Sequence, residues 1–356
     1  MSTRWLAVEP LDTVMVRDGR RFDAGVSGRA ACTSPPPSTL GGALHTALGD
    51  AVDEVLGVVV QTRFGSVFPA PADLVVHRGR TLRLPVTERG SEAWDLDSDH
   101  RLSHQLAGDG EPLAGGWLTQ HGLEAWLRGA SPLQPGSEIG PGAGVVSAPW
   151  LPEQRLGLAR EWEGELAGTA SPGLLYTMAH LRPRHDGMRF LVPFRDERDV
   201  AVVRDLLRLG GRGRLAQVEL VEPDDDVMPP PLDEYPNGRV AVYLATPALL
   251  GVDPDAPHPE AARSDPLWAP ANSALCALAN GGPVPIATAS DRKGNYGDSR
   301  QLAWAVPAGT VFFLDFGGDA AAALAWAREH HGRLLPGLSN SPLRTAGFGM
   351  CLTGSW

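Results

Sequence analysis

Short apolar runs separated by Gly, Pro and Asp set the pattern of this chain, and most are too brief for a helix. Trp5 opens one such run, which suits a buried strand. The triple proline Pro35 to Pro37 then stops at Ser38, a predicted N-cap. Beyond it Leu40, Ala43, Leu44, Ala47 and Leu48 recur at the spacing of one helix face, with Gly41, Gly42, His45 and Thr46 opposite. The apolar stretch Ala51 to Val60 fits either state. Leu74 to His77 and Leu82 to Pro85 flank the turn Arg78-Gly79 as a hairpin, and Leu118 to Arg128 reads as a helix on Leu123 and Leu127. Glu88 to Gly116 is polar and Gly-rich, an exposed insertion, and Ser131 to Pro152 reads as irregular chain. Leu174 to Leu181 is strand-like. Met188, Phe190, Val192 and Phe194 alternate like a half-buried strand. Val200, Val203, Leu206 and Leu207 have helical spacing with Gly210 as the stop, and Leu215 to Val221 is a strand.

That order, β-α-β-β-α-β through about residue 222, predicts an α+β fold of the ferredoxin-like, RNA-recognition type. Glu222 to Gly238 is acidic and Pro-rich, a natural boundary. After it come a strand at Arg239 to Ala245, a short helix at Asn272 to Ala279, strands at Val284 to Ala289 and Thr310 to Phe316, a helix capped by Asp319, and a last strand to Trp356. The second half repeats the first. The expectation is two ferredoxin-like domains, residues 1–222 with a large insertion at about 50–170 and residues 239–356.

Composition narrows the chemistry. The 356 residues are 43% hydrophobic, yet no apolar run is long enough to span a bilayer, and the N-terminus shows no secretory signal. Cys32, Cys276 and Cys351 are widely spaced with no CxxC pair, so neither a zinc site nor a disulfide framework is expected. A cytoplasmic protein without membrane contact, metal or cofactor is the expectation. The formal net charge of −11 opposes nucleic-acid binding through overall charge but allows a local basic groove. Nearly all the positive charge is arginine, Lys293 being the one lysine, and arginine forks pair bidentately with phosphate.

The candidate contacts fall in three places. One is the basic turn Arg17, Arg20 and Arg21. The second is the helix start with Ser38, Thr39 and His45, where two readings stay open: an anion site on uncovered backbone N–H groups, or glycines that permit close packing. The third is a pair of Gly/Arg loops, each predicted between a second helix and a last strand: Gly210 to Arg214, with Gly211, Arg212 and Arg214, and Arg344 to Gly349, with Gly347 and Gly349. These either bring backbone close to a ligand or are tight turns. Asp291 to Arg300 is a polar loop holding Arg292, Lys293, Tyr296 and Arg300. No P-loop, GxSxG elbow or HExxH motif occurs, and no catalytic residue is assigned. The enzymatic alternative is a ribonuclease with His45 as general base. The aromatic platform of a free-standing RNA-recognition domain is missing, so loops and arginines are the expected contacts.

The segments LAVEPLDTVMVRDGRRFDAG, PPPSTLGGALHTAL, FPAPADLVV, RLGLAR with GLLYTMAHLRP, LGGRGRLAQVEL, VYLATPALL, AVPAGTVFFLDF and TAGFGMCLTGSW resemble, in order, the third Cmr subunit family of type III-B CRISPR effector complexes, part of the RAMP proteins. The resemblance implies two packed ferredoxin-like folds and a non-catalytic role gripping the 5′ tag of the CRISPR RNA. It implies as partners the large polymerase-like Cmr subunit and the backbone Cmr subunit that carries the target-RNA nuclease. The RAMP alternative is an endoribonuclease that processes CRISPR repeat RNA.

Overall fold

The computed structural model of the chain describes residues 3–16, 32–50, 52–89, 102–113, 115–133, 144–160, 170–223, 227–250, 268–287, 302–335 and 346–356. Strand β1 (Arg4–Pro10) leads to helix α1 (Pro37–Leu48). Short strands follow: β2 (Glu54–Val55), β3 (Val59–Thr62), β4 (Gly65–Pro69), β5 (Leu74–His77), β6 (Arg80–Arg83) and β7 (Val86–Glu88). Next are β8 (His104–Leu106), β9 (Glu111–Pro112), β10 (Trp117–Thr119), helix α2 (Gln120–Leu127) and β11 (Val145–Val146). The long strands β12 (Trp150–Arg160) and β13 (Ala170–Pro183) pair with each other as a two-stranded ribbon. Strands β14 (Arg189–Arg195), β15 (Leu206–Arg208) and β16 (Leu215–Val221) end the first half. The second holds β17 (Arg239–Leu244), β18 (Ala274–Ala279), β19 (Val284–Ala287), β20 (Leu302–Ala305), β21 (Val311–Asp315), helix α3 (Ala320–His330), β22 (Arg333–Leu334) and β23 (Met350–Gly354).

Two antiparallel sheets carry the fold. The first runs β11-β10-β4-β3-β14-β1-β16-β15, with β2 added to β14; the second runs β18-β21-β17-β23-β22. In each, the first strand is central, flanked by a later strand on either side: β1 lies between β14 and β16, and β17 between β21 and β23. Strands β3, β4, β10 and β11, all from the stretch read as an insertion, extend the first sheet.

The strand period of two explains the layers. Leu6 and Val8 point to α1, where Leu40, Leu44, Phe190, Val192 and Val218 complete one core. Ala7, Val59 and Leu191 point the other way and meet Ala241, Tyr243, Phe313 and Leu352 of the second sheet. Val240, Val242 and Phe312 face α3 through Trp326 and Ala327. The order is therefore helix, sheet, sheet, helix. The acidic, Pro-rich connection is not a loose tether: Val227, Leu232 and Tyr235 are buried, and the Tyr235 hydroxyl lies 2.7 Å from Thr353 Oγ1.

Three local expectations do not hold. Ser38 is not the N-cap; α1 starts at Pro37, with Pro36 at the cap, because proline's fixed φ and missing N–H suit a first turn. Gly41 and Gly42 consequently lie beyond the first turn, where their N–H groups are no longer orphans. The segment from Val200 to Leu207 is no helix. Its end forms β15, with Leu207 buried between exposed Leu206 and Arg208, a strand alternation. Val203 and Arg204 donate to the Ala47 carbonyl at the end of α1, which takes the backbone bonds a helix would use. Asn272 to Ala279 is likewise no helix. Residues 274–279 form β18, which pairs along β21 on the apolar core. By contrast, α2, α3 with its Asp319 cap, the β5–β6 hairpin and β14 fall where the pattern places them.

Candidate nucleic-acid interface

After β1 the chain bends at Leu11 and Asp12 and then runs to Val16, pinned on both sides. Val14 exchanges two backbone bonds with Leu181 of β13, each 2.8 Å, and Gly211 donates to the Met15 carbonyl at 2.8 Å. Thr33 donates to the Val16 carbonyl at 2.9 Å. The two ends of the intervening segment are thus side by side, next to the 210–214 loop and just before α1. Arg17, Arg20 and Arg21 lie between those ends, outside the described residues, as do Arg344 and the Asp291–Arg300 loop.

The first Gly/Arg loop is a closed turn: Leu209 donates to the Arg214 carbonyl at 2.8 Å. Gly210 sits at φ 74°, and a Cβ there would lie 2.4 Å from the Met15 carbonyl oxygen. Its close backbone approach is therefore to the protein's own chain. Gly211 has ordinary space, and Gly213, at φ 67°, faces open space. Arg212 also has positive φ, 60°, and its guanidinium lies 5.4 Å from the Tyr176 ring of β13.

The second glycine loop packs in the same manner. Ala346 bridges Val55, and a Cβ on Gly347 would come within 2.9 Å of Val55 Cγ1 and 3.0 Å of the Gly57 nitrogen. Thr246 fixes the loop, its hydroxyl donating to the Gly347 carbonyl at 3.0 Å and accepting from the Met350 N–H at 2.9 Å. Gly349 donates to the Pro247 carbonyl at 2.8 Å. Gly41 of α1 stands across from Ala346, where a Cβ would have ordinary contact at 3.8 Å. The structure thus joins α1 to this loop through packing. Ser38 and Thr39 are half-buried in the first turn of α1. His45 is in its last turn, where a histidine's charge complements the helix dipole.

Sequence reasoning missed a dense charge cluster among the described residues, at the root of the β12–β13 ribbon. Asp12 Oδ2 accepts from Arg155 Nη2 and from Arg214 Nη1, both at 3.0 Å, while Arg182 Nη2 lies 3.1 Å from Asp12 Oδ1. Glu153 accepts from Arg155 Nε at 2.6 Å and from Arg182 Nε. The hydrogen bonds from Arg182 and Arg155 hold the Glu153 carboxyl down at about 2, and the bond from Arg155 chiefly holds Asp12 below its usual value. Arg155 and Arg182 are raised in return, above all by Glu153. His180, opposite Glu153 in the ribbon, is 1% exposed and its Nδ1 lies 2.9 Å from Thr13 Oγ1. Burial first, then the charges of Arg155 and Arg214, push its imidazole toward the neutral form. The available signal was register. Glu153 and Arg155 are two apart on β12, His180 and Arg182 two apart on β13, and pairing puts all four on one face.

Among the described residues, no cluster of His, Cys, Asp or Glu could hold a metal ion, and no helix is long and apolar enough to cross a membrane. The three cysteines are free thiols.

A family model described as CRISPR-associated protein (Cas_Cmr3) matches residues 6–356. No curated protein matches. Among solved structures, a chain of the cryo-EM structure of the Type III-B Cmr-beta bound to cognate target RNA is similar, at TM-score 0.46 and 14% identity over 87% of this chain and 86% of that one. A chain of Cmr-beta bound to cognate target RNA and AMPPnP, state 1, is similar at TM-score 0.46 and 13% identity, with the same coverage.

Proposed function

The chain belongs to the Cas_Cmr3 family of CRISPR-associated proteins, and from that premise we propose that it is a non-catalytic, RNA-binding subunit of a type III-B CRISPR ribonucleoprotein. In this reading it grips the 5′ tag of the CRISPR RNA. It also joins the large polymerase-like subunit to the backbone subunit that carries the target-RNA nuclease. Both halves, residues 1–222 and 239–356, are taken as ferredoxin-like units, each built around a central first strand. They lean on one another through the face-to-face sheets rather than working as separate modules.

The observation that carries the RNA-binding part is the convergence at Met15 and Val16. There the 210–214 loop, the root of the ribbon and the segment leading into α1 are tied to residues 14–16 by backbone bonds, at the point where the sequence turns basic with Arg17, Arg20 and Arg21. Because Gly210 and Gly347 spend their freedom on contacts within the chain, arginine side chains rather than glycine backbones are the groups offered to phosphate. An acidic chain with a cationic region at this point fits a subunit whose remaining surface faces other proteins.

The test is co-purification from native cells with crosslinking of bound RNA. The expected result is a CRISPR RNA crosslinked through its 5′ end to peptides around residues 12–21 or 210–214, with other Cmr-type subunits co-eluting. A chain that emerges alone and RNA-free overturns the reading.

A further inference from the structure

Building on the RNA-binding reading above, we propose that the arginine cluster at the root of the β12–β13 ribbon is a phosphodiester-binding site whose place is held, in the free chain, by the Asp12 carboxylate. Glu153 takes the Nε groups of both Arg155 and Arg182, which leaves their Nη2 ends directed at Asp12. Arg214 adds its Nη1 from the 210–214 loop at 3.0 Å. A carboxylate presents two oxygens to guanidinium forks much as a phosphate does, so the same three donors fit a phosphodiester that replaces Asp12. Glu153 is then a positioning residue, holding two forks in place throughout.

The cluster is open to such an exchange. Arg155, Arg214, Arg182 and Asp12 expose 27%, 28%, 45% and 41% of their side chains. It is also unbalanced: Asp12 and Glu153 face three arginines, and Arg212 stands over Tyr176 on the same ribbon. Two buried polar atoms around it, Arg214 Nε and His180 Nε2, have no partner among the described residues. Buried polar atoms are nearly always paired. Arg214 Nε is a donor, and His180 Nε2 is one in the tautomer whose Nδ1 accepts from the Thr13 hydroxyl. An unused guanidinium N–H within this set of three arginines describes a place for an anion.

The test is equilibrium binding of the full chain to a fluorescein-labelled oligouridine across roughly 50 to 200 mM KCl, where phosphate contacts dominate the salt dependence. Asp12→Asn keeps the shape and removes the competing charge, and is expected to tighten binding about three- to tenfold. Arg182→Ala is expected to weaken it about tenfold and to flatten the plot of log K against log salt by about 0.7, one lost contact to single-stranded RNA. Arg155→Ala is the second variant, and unchanged circular dichroism certifies the fold of each. If the wild type binds while Asp12→Asn and both arginine variants leave affinity and slope unchanged, the site is overturned and RNA binding elsewhere stands. Weaker binding by Asp12→Asn, or no binding by the wild type at the lowest salt, also overturns the site. The subunit reading is judged separately, by the crosslink in the assembled complex.

Discussion

Asp73 and Asp12 are both held by arginine, and their surroundings give them opposite work. Asp73 is fully buried. Its Oδ2 accepts from Arg83 Nε at 2.9 Å and its Oδ1 from Trp126 Nε1 at 3.0 Å. Arg83 stacks 4.4 Å over Trp126 and donates to the carbonyls of Trp126 and Ser355 at 3.2 and 3.0 Å. This pair ties β6, α2 and the end of β23 into one knot, in which Arg83 leaves only 8% of its side chain to solvent. Asp12 instead stands at a surface, shared by three arginines that water reaches. The difference is desolvation. A buried pair cannot exchange its partner without leaving a charge stranded, whereas an exposed one gains little from its partner and releases it cheaply.

The sharpest break in that comparison comes from Asp73→Ala. It strands Arg83 in the interior, and the expected loss is about 3–5 kcal/mol in urea denaturation, as when one partner of a buried pair is removed. A loss near that of a surface substitution would mean that water reaches Arg83 and that the knot is not closed.

A second contrast sharpens the account of the 210–214 loop. Gly210 and Gly213 both have positive φ, but only Gly210 lies against backbone, with a Cβ position 2.4 Å from the Met15 oxygen. Gly210→Ala is expected to cost about 2–3 kcal/mol, through strained φ and a displaced Met15. Gly213→Ala is expected to cost about 1 kcal/mol, through φ alone. Equal melting-temperature shifts for the two would remove the distinction between packing and turn glycine.

How much of this was legible in the sequence follows the same physical line. β14 was legible because Met188, Phe190, Val192 and Phe194 recur at period two, but it is not half-buried: Leu191 on its other face meets the second sheet, so both faces are buried. α3 was legible from Asp319 and its apolar stripe. Val200 to Leu207 misled because four apolar residues at helical spacing also fit a loop lying across the end of α1, and only tertiary contact decides between them. At the site, the sequence pointed to the 210–214 loop but not to what it meets. Arg155 and Arg182 are 27 residues apart, and their shared carboxylate follows from ribbon register, which spacing along the chain does not encode.

Acid is the gentler probe of the exposed cluster. Its Glu153 carboxyl sits at about 2 against an ordinary 4.5, held there by hydrogen bonds from Arg182 and Arg155. A depressed folded value means that the contribution to stability is complete above pH 4.5 and is lost as pH falls toward 2. A carboxyl NMR titration is expected to show Glu153 ionised down to that range. A midpoint at the ordinary glutamate value would show that the forks are not engaged in solution.

The smallest expected effect is the one that separates the two carboxylates most cleanly. Asp12→Asn removes one charge from an arginine set that Glu153 still orders, in a place where solvent screens what remains. Exposed ion pairs are commonly worth less than about 1 kcal/mol, and repulsion among the three arginines is softened by water and salt. The unfolding free energy is therefore expected to change by less than about 1 kcal/mol, and by less still as salt is raised. A loss as large as that of Asp73→Ala would make Asp12 a structural clamp on the ribbon, too tightly bound for a phosphate to displace. A near-neutral result leaves its place at the arginines free to be taken, which is the property that distinguishes a binding surface from a buried knot.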